Sequence, residues 1–144
     1  MTQVERSALV MHTAEEMFKL INDVRRYPEF LPWCASVDVK EDTETDLVAT
    51  LNLSKGGLNY SFTTHNKLQT PESMVLSLVD GPFTHLKGQW QFKRLSDEAC
   101  KVSLNLEFGF SGKLTAIAMS KVFSQVANTM VDAFVKRADV VYGV

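Results

Sequence analysis

From Ala35 to Phe110, apolar and polar side chains alternate with a period of two. Leu47, Ala49, Leu51 and Leu53 interleave with Val48, Thr50 and Asn52, and Lys55-Gly56-Gly57 supplies a turn. Leu58, Tyr60 and Phe62 then interleave with Asn59, Ser61 and Thr63. Met74, Leu76 and Leu78 predict a further strand, ended by Asp80-Gly81-Pro82. Leu86, Gly88, Trp90 and Phe92 alternate with Lys87, Gln89, Gln91 and Lys93. Val102, Leu104, Leu106 and Phe108 alternate with Lys101, Ser103, Asn105 and Glu107. Alternation with short connections predicts an antiparallel sheet, apolar on one face and wet on the other.

Past Ser111-Gly112 the period changes. Met119, Val122, Phe123, Val126, Met130, Phe134 and Ala138 recur at intervals of three and four, and no Gly or Pro intervenes before Gly143. The spacing predicts one helix of nearly thirty residues, roughly 45 Å long at 1.5 Å per residue. The N-terminal segment Val4–Met11 reads as a strand. Thr13 and Glu16 then form a capping box, in which each side chain satisfies an orphan N–H of the other. Met17, Phe18, Leu20 and Ile21 follow at helical spacing, and Asn22 is expected to close that helix. In Arg26-Tyr27-Pro28-Glu29-Phe30-Leu31-Pro32-Trp33-Cys34, two prolines four apart allow at most one helical turn, starting at Pro28. Its large apolar side chains predict a segment that is packed down.

These elements assign an α+β architecture: a curved antiparallel β-sheet wrapped around a long C-terminal α-helix, each burying the apolar face of the other. With 144 residues, the chain is read as a single domain spanning 1–144. A sheet gripping a helix often leaves a hollow between them, and layered architectures of this kind host apolar ligands.

Charge narrows the function classes. The formal net charge is −2, without the basic footprint of a general nucleic-acid binder. Arg25-Arg26 is the largest local excess of positive charge, and the acidic residues Glu41, Asp42, Glu44 and Asp46 read as a solvated turn. The N-terminus lacks the basic and apolar regions of a signal peptide, and no apolar run is long enough to span a bilayer. A cytoplasmic location is expected, with at most peripheral membrane contact.

Catalytic chemistry is not visible. His12, His65 and His85 sit beside no nucleophile in a recognisable motif, and His65 is expected near a strand end. Cys34 and Cys100 form no CxxC and have no His at metal-ligand spacing, so no metal site is assigned. Gly56-Gly57 lacks the Lys-Ser/Thr and following helix of a phosphate-binding loop. What stands out is aromatic and Met content on inward faces, at Tyr60, Phe62, Trp90, Phe92, Phe123, Met130 and Phe134. These side chains are core, pocket wall, or both. Leu76 joins them by parity. Gly88 falls on the inward face by register, where a missing side chain opens room or admits a neighbour. Tyr27, Phe30 and Trp33 form a candidate lid over one end of the hollow.

The opening strand and capped helix, with Asn22-Asp23-Val24 leading into Tyr27-Pro28-Glu29-Phe30-Leu31-Pro32-Trp33-Cys34, resemble the coenzyme Q-binding branch of the START-like superfamily. Val79-Asp80-Gly81-Pro82-Phe83, Leu86-Lys87-Gly88-Gln89-Trp90-Gln91-Phe92 and the final helix with Val122-Phe123 and Asn128-Thr129-Met130-Val131 are similar to the same family. Within it, the chain looks most similar to short bacterial members called ribosome-association toxins. The resemblance implies a START-like helix-grip fold with a deep hydrophobic cavity. For one branch it implies non-enzymatic binding of ubiquinone or another polyprenyl lipid, in support of cellular respiration, with no required cofactor. For the toxin branch it implies binding to the large ribosomal subunit and a block to subunit joining; Arg25 and Arg26 are the candidate phosphate contacts for that role.

Overall fold

The computed structural model describes residues 2–112 and 114–143, without the side chains of Leu114 and Thr115. Strand β1 (Thr2–Val10) leads into helix α1 (Ala14–Asn22) and a 3-10 helix (Val24–Glu29). Six strands follow: β2 (Cys34–Asp42), β3 (Asp46–Lys55), β4 (Leu58–Gln69), β5 (Ser73–Asp80), β6 (Phe83–Arg94) and β7 (Cys100–Phe110). Helix α2 (Leu114–Tyr142) closes the chain.

All seven strands form one antiparallel sheet in the order β1-β7-β6-β5-β4-β3-β2. The period-two alternation therefore has the expected consequence: along β3, Leu47, Ala49, Leu51 and Leu53 are all buried, and along β7 so are Val102, Leu104, Leu106 and Phe108. Helix α2, 29 residues long, lays Phe123, Val126, Ala127, Val131, Phe134 and Ala138 against this face. At β1 it is held by Arg6 Nε donating to Asn128 Oδ1 at 3.1 Å. On the other side it rests on the β3–β4 turn, where Gly56 takes a φ of +62° beside Val122. Glycine reaches that left-handed backbone without steric cost.

Two irregularities shape the middle of the sheet. Thr63 and Thr64 of β4 face Asp80 and Leu78 of β5, which leaves Val79 as an extra residue on β5. The β5–β6 ladder stops at Ser77 opposite Lys87. Beyond it, the end of β5 stays with β4 and the start of β6 stays with β7, so the hairpin splays into a V. Bulges bend a strand and increase its local twist, and here they accompany the curvature that lets the sheet wrap α2.

Local signals were legible, with small displacements. The capping box is present: Thr13 Oγ1 accepts from Glu16 N–H at 3.1 Å, and Glu16 Oε1 accepts from Thr13 N–H at 2.9 Å. Asn22 remains helical, and Asp23 is the cap, its N–H donating to Leu20 O. The proline-rich segment differs from expectation. Its helical turn ends one residue after Pro28 and does not start there. A 3-10 turn bonds each N–H to the residue three back, so one missing donor near its C-terminal end removes a single bond. The acidic run is likewise only partly a turn. Glu41 and Asp42 close β2, and Asp46 opens β3.

Candidate functional site: an apolar cavity with a polar wall

The concave face of the sheet, α1, the 3-10 helix and α2 enclose a cavity of about 60 Å³. Ile21 comes from α1, Val24 and Tyr27 from the 3-10 helix, and Trp33 from the residue before β2. Leu51, Met74 and Leu76 come from β3 and β5. Leu86 and Trp90 of β6, with Leu104 and Leu106 of β7, form the wall facing Phe123 and Met130 of α2. Such a volume holds roughly two water molecules at about 30 Å³ each. Any larger guest requires the walls to part. Met74 and Met130 are the adaptable members of that wall, since the unbranched thioether side chain fits irregular shapes.

Strand β4 contributes the polar part. Its inward row runs Phe62, Thr64, Asn66, Leu68, so two polar side chains sit in the middle of an apolar face. Thr64 is 4% exposed and Asn66 8%. The Asn66 Oδ1 atom is buried without a hydrogen-bond partner. Buried polar groups are overwhelmingly paired, so an orphan in a cavity wall calls for an explanation.

Of the residues singled out from sequence, Tyr27, Trp33, Phe62, Leu76, Trp90, Phe123 and Met130 line this cavity. Five others lie elsewhere. Phe92 packs edge-on against Phe18 of α1, with ring centroids 5.5 Å apart. Phe134 sits behind the wall, edge-on to Tyr27, Phe30 and Trp90. Phe30 faces an outer cleft against α2, where the Arg137 guanidinium lies 5.0 Å from its ring centroid. Tyr60 belongs to an aromatic cluster with Phe83 and Phe110 at the far end of the sheet. Gly88 opens no room: a Cβ there would stand 2.7 Å from Leu106 Cδ1 and 2.8 Å from Asn105 O. The absent side chain admits its neighbour on β7.

Tyr27, Leu31 and Trp33 are buried core residues, so the proline-rich segment is part of the wall. The Tyr27 hydroxyl donates to Ile21 O at 2.5 Å and is thereby committed within the protein. Burial pushes its phenol far above the usual range. Thr64 and Asn66 lie just past Thr63, where the alternation predicted for β4 ends. Continuing the same parity two and four residues beyond Phe62 places both inward.

Arg25 and Arg26 are exposed, and each is already paired. Arg25 Nη1 donates to Asp42 Oδ2 at 2.8 Å, and Arg26 Nη1 donates to Glu29 Oε2 at 3.0 Å. The bond from Arg26 holds the Glu29 carboxyl below its ordinary range. Exposed pairs of this kind are screened by water and salt and yield readily to a competing anion.

A profile described as "Polyketide cyclase / dehydrase and lipid transport" matches residues 10–135. The chain belongs to that family. Over 143 residues, 99% of each chain, it is 51% identical to the ribosome association toxin RatA of Vibrio cholerae. It is 27% identical over 139 residues to the mitochondrial coenzyme Q-binding protein coq10 of Schizosaccharomyces pombe, covering 93% of this chain and 85% of that one. The structure superimposes on the Zhui aromatase/cyclase of Streptomyces sp. R1128 with a TM-score of 0.84 at 17% identity, covering 96% and 93% of the two chains. The fold is thus the START-like helix-grip fold.

The family's description and the name of that structural neighbour both include a cyclase, and the polar groups bear on such chemistry. Cys34 and Cys100 are both buried, and burial raises each thiol to about 11, away from the reactive thiolate. His65 lies in the middle of β4 and not near its end, and its Nε2 is 2.7 Å from Asp46 Oδ1. His12 Nε2 is 2.8 Å from Asp139 Oδ1, joining the end of β1 to α2. Neither histidine lines the cavity. Among the described residues no group of three His, Cys, Asp or Glu is placed to hold a metal ion, and no helix is long and apolar enough to cross a membrane.

Proposed function

We propose that the protein is a non-catalytic carrier of a polyprenyl quinone, held between the sheet and α2 in support of respiration. The observation that carries this reading is the cavity between the sheet and α2, whose wall is apolar except for Thr64 and Asn66. The name of the fission-yeast relative, a coenzyme Q-binding protein, supports the choice of ligand. Each CH₂ buried from a tail contributes about 0.8 kcal/mol, which works both toward binding and toward parting the walls. The V between β5 and β6, next to Leu76 and Leu86, is the proposed way in. Exposed Leu9, Met11 and Val140 supply apolar surface for transient contact with a membrane. Titrating lipid-free protein with a short-chain ubiquinone tests the proposal, because Trp33 and Trp90 both line the cavity. Saturable fluorescence quenching is expected; flat fluorescence contradicts it.

A second reading is favoured by one specific observation. A relative 51% identical across its whole length is named for ribosome association. In that reading the protein docks on the large ribosomal subunit through its surface, with Arg25 and Arg26 exchanging Asp42 and Glu29 for RNA phosphates. Co-sedimentation with large subunits, weakened by added salt, is the expected result.

A further inference from the structure

We infer that the outer cleft between α2 and the proline-rich segment is a phosphate-binding surface that seats the phosphodiester backbone of RNA. This deepens the ribosomal reading and rests on it. The cleft measures about 520 Å³, within the range of about 300–1,000 Å³ usual for ligand sites. Three cations from two elements line it: Lys55 at the end of β3, and Lys136 and Arg137 of α2. Among the described residues, Asp132 is the one carboxylate in its lining.

Arg137 is held in place there, with its side chain 21% exposed. Its guanidinium carbon lies 5.0 Å from the Phe30 ring centroid, and Nη2 donates to Glu29 Oε1 at 2.7 Å. The Nε–H is buried with no acceptor. A guanidinium carries five N–H donors and no acceptor whichever way it is turned. What the group lacks is therefore an acceptor. A planar fork fixed on an aromatic ring and a carboxylate matches the paired oxygens of a phosphate.

Lys55 and Lys136 are exposed, and neither forms an ion pair among the described residues. Arg25 and Arg26 differ in this respect. Arg25 lies against Asp42, and Arg26 lies between Glu29 at 3.0 Å and Asp23 at 3.9 Å. An anion must displace those carboxylates, whereas it meets the two lysines unopposed. The surfaces join at Glu29, whose Oε2 accepts from Arg26 and whose Oε1 accepts from Arg137.

The aromatic residues of the cleft indicate which part of the RNA it takes. Trp33 is 5% exposed, and Phe30 is occupied by Arg137 and by the rings of Tyr27 and Phe134. Neither offers a face for a base to stack on. The contact is with backbone and reads no sequence.

Co-sedimentation with purified large ribosomal subunits, measured over a series of salt concentrations, tests the inference. Wild-type protein is compared with Lys55→Gln/Lys136→Gln and with Lys93→Gln/Lys101→Gln, which removes the same charge from exposed positions on the outer face of the sheet. The cleft variant is expected to bind at least roughly tenfold more weakly and to lower the slope of log affinity against log salt by about two, one for each phosphate contact. The sheet variant is expected to match wild type. A cleft variant that binds like wild type, or a sheet variant that is weakened as much, overturns the cleft and leaves the ribosomal reading intact. Wild-type protein that fails to sediment with large subunits at any salt overturns both. If that protein instead binds phosphatidylglycerol vesicles through Lys55 and Lys136, the cleft serves a membrane and the RNA inference is overturned.

Discussion

The Tyr27 hydroxyl donates to the carbonyl of Ile21 at 2.5 Å, entirely out of water. That carbonyl lies in the last turn of α1, where backbone acceptors have no partner within the helix. One side chain of the 3-10 helix thus satisfies the end of α1, and the same ring forms part of the cavity wall. Tyr27→Phe keeps the ring and orphans the carbonyl. A loss of about 1–3 kcal/mol in denaturant unfolding is expected, with quinone affinity unchanged.

Gly88 bears on the sheet itself. Because a Cβ there meets both a Leu106 methyl and the Asn105 carbonyl at under 3 Å, even the smallest side chain displaces β7. Gly88→Ala is expected to destabilise the protein by about 1–3 kcal/mol, the usual range for overpacking. An unchanged melting temperature contradicts this account of the β6–β7 contact. The same clash makes larger replacements at this position unsuitable as probes of the cavity, since they report on folding.

Trp33 is 5% exposed and sits at the junction of the proline-rich segment with β2, where Trp33 O accepts from Ser54 N–H at 2.8 Å. Trp33→Ala is expected to cost about 3–5 kcal/mol, as for other buried aromatic truncations. Trp33→Phe should recover most of it. A full-strength melt for Trp33→Ala, with only ligand binding lost, contradicts its role as wall and core together.

The arginine pair separates the two functional readings. Arg25→Glu with Arg26→Glu should reduce co-sedimentation with large ribosomal subunits and leave quinone affinity as it was. Asp42→Asn, which releases Arg25 from its 2.8 Å bond, should raise co-sedimentation. Insensitivity to all three substitutions removes this patch from any ribosomal role.

The architecture was legible because its signals are local and repeated. Period two in Leu47–Leu53 and Val102–Phe108, the change of period after Gly112, and the Thr13–Glu16 box each follow from backbone geometry alone. Membership of the cavity was less so. Phe62, Trp90 and Phe92 share one parity, yet only the first two reach the hollow, because α1 brings Phe18 against Phe92. Phe134 and Tyr60 point inward and are taken up by other aromatic rings. Parity gives the face of a side chain and not its neighbour across the core. Gly88 shows the same limit, since the occupant of its empty space is set by the β6–β7 register. Thr64 and Asn66 were within reach, for a polar interruption in an inward row is itself a signal of a site.

The central claim is that the space between the sheet and α2 holds a polyprenyl quinone. Native mass spectrometry of the protein purified without detergent from its own host, followed by solvent extraction of the bound fraction, tests it most directly. The account predicts a species heavier than the 144-residue chain by the mass of one polyprenyl quinone or quinol, which disappears on extraction and is recovered in the solvent. A preparation that still takes up no quinone when offered it, and shows only the mass of the bare chain, contradicts the claim.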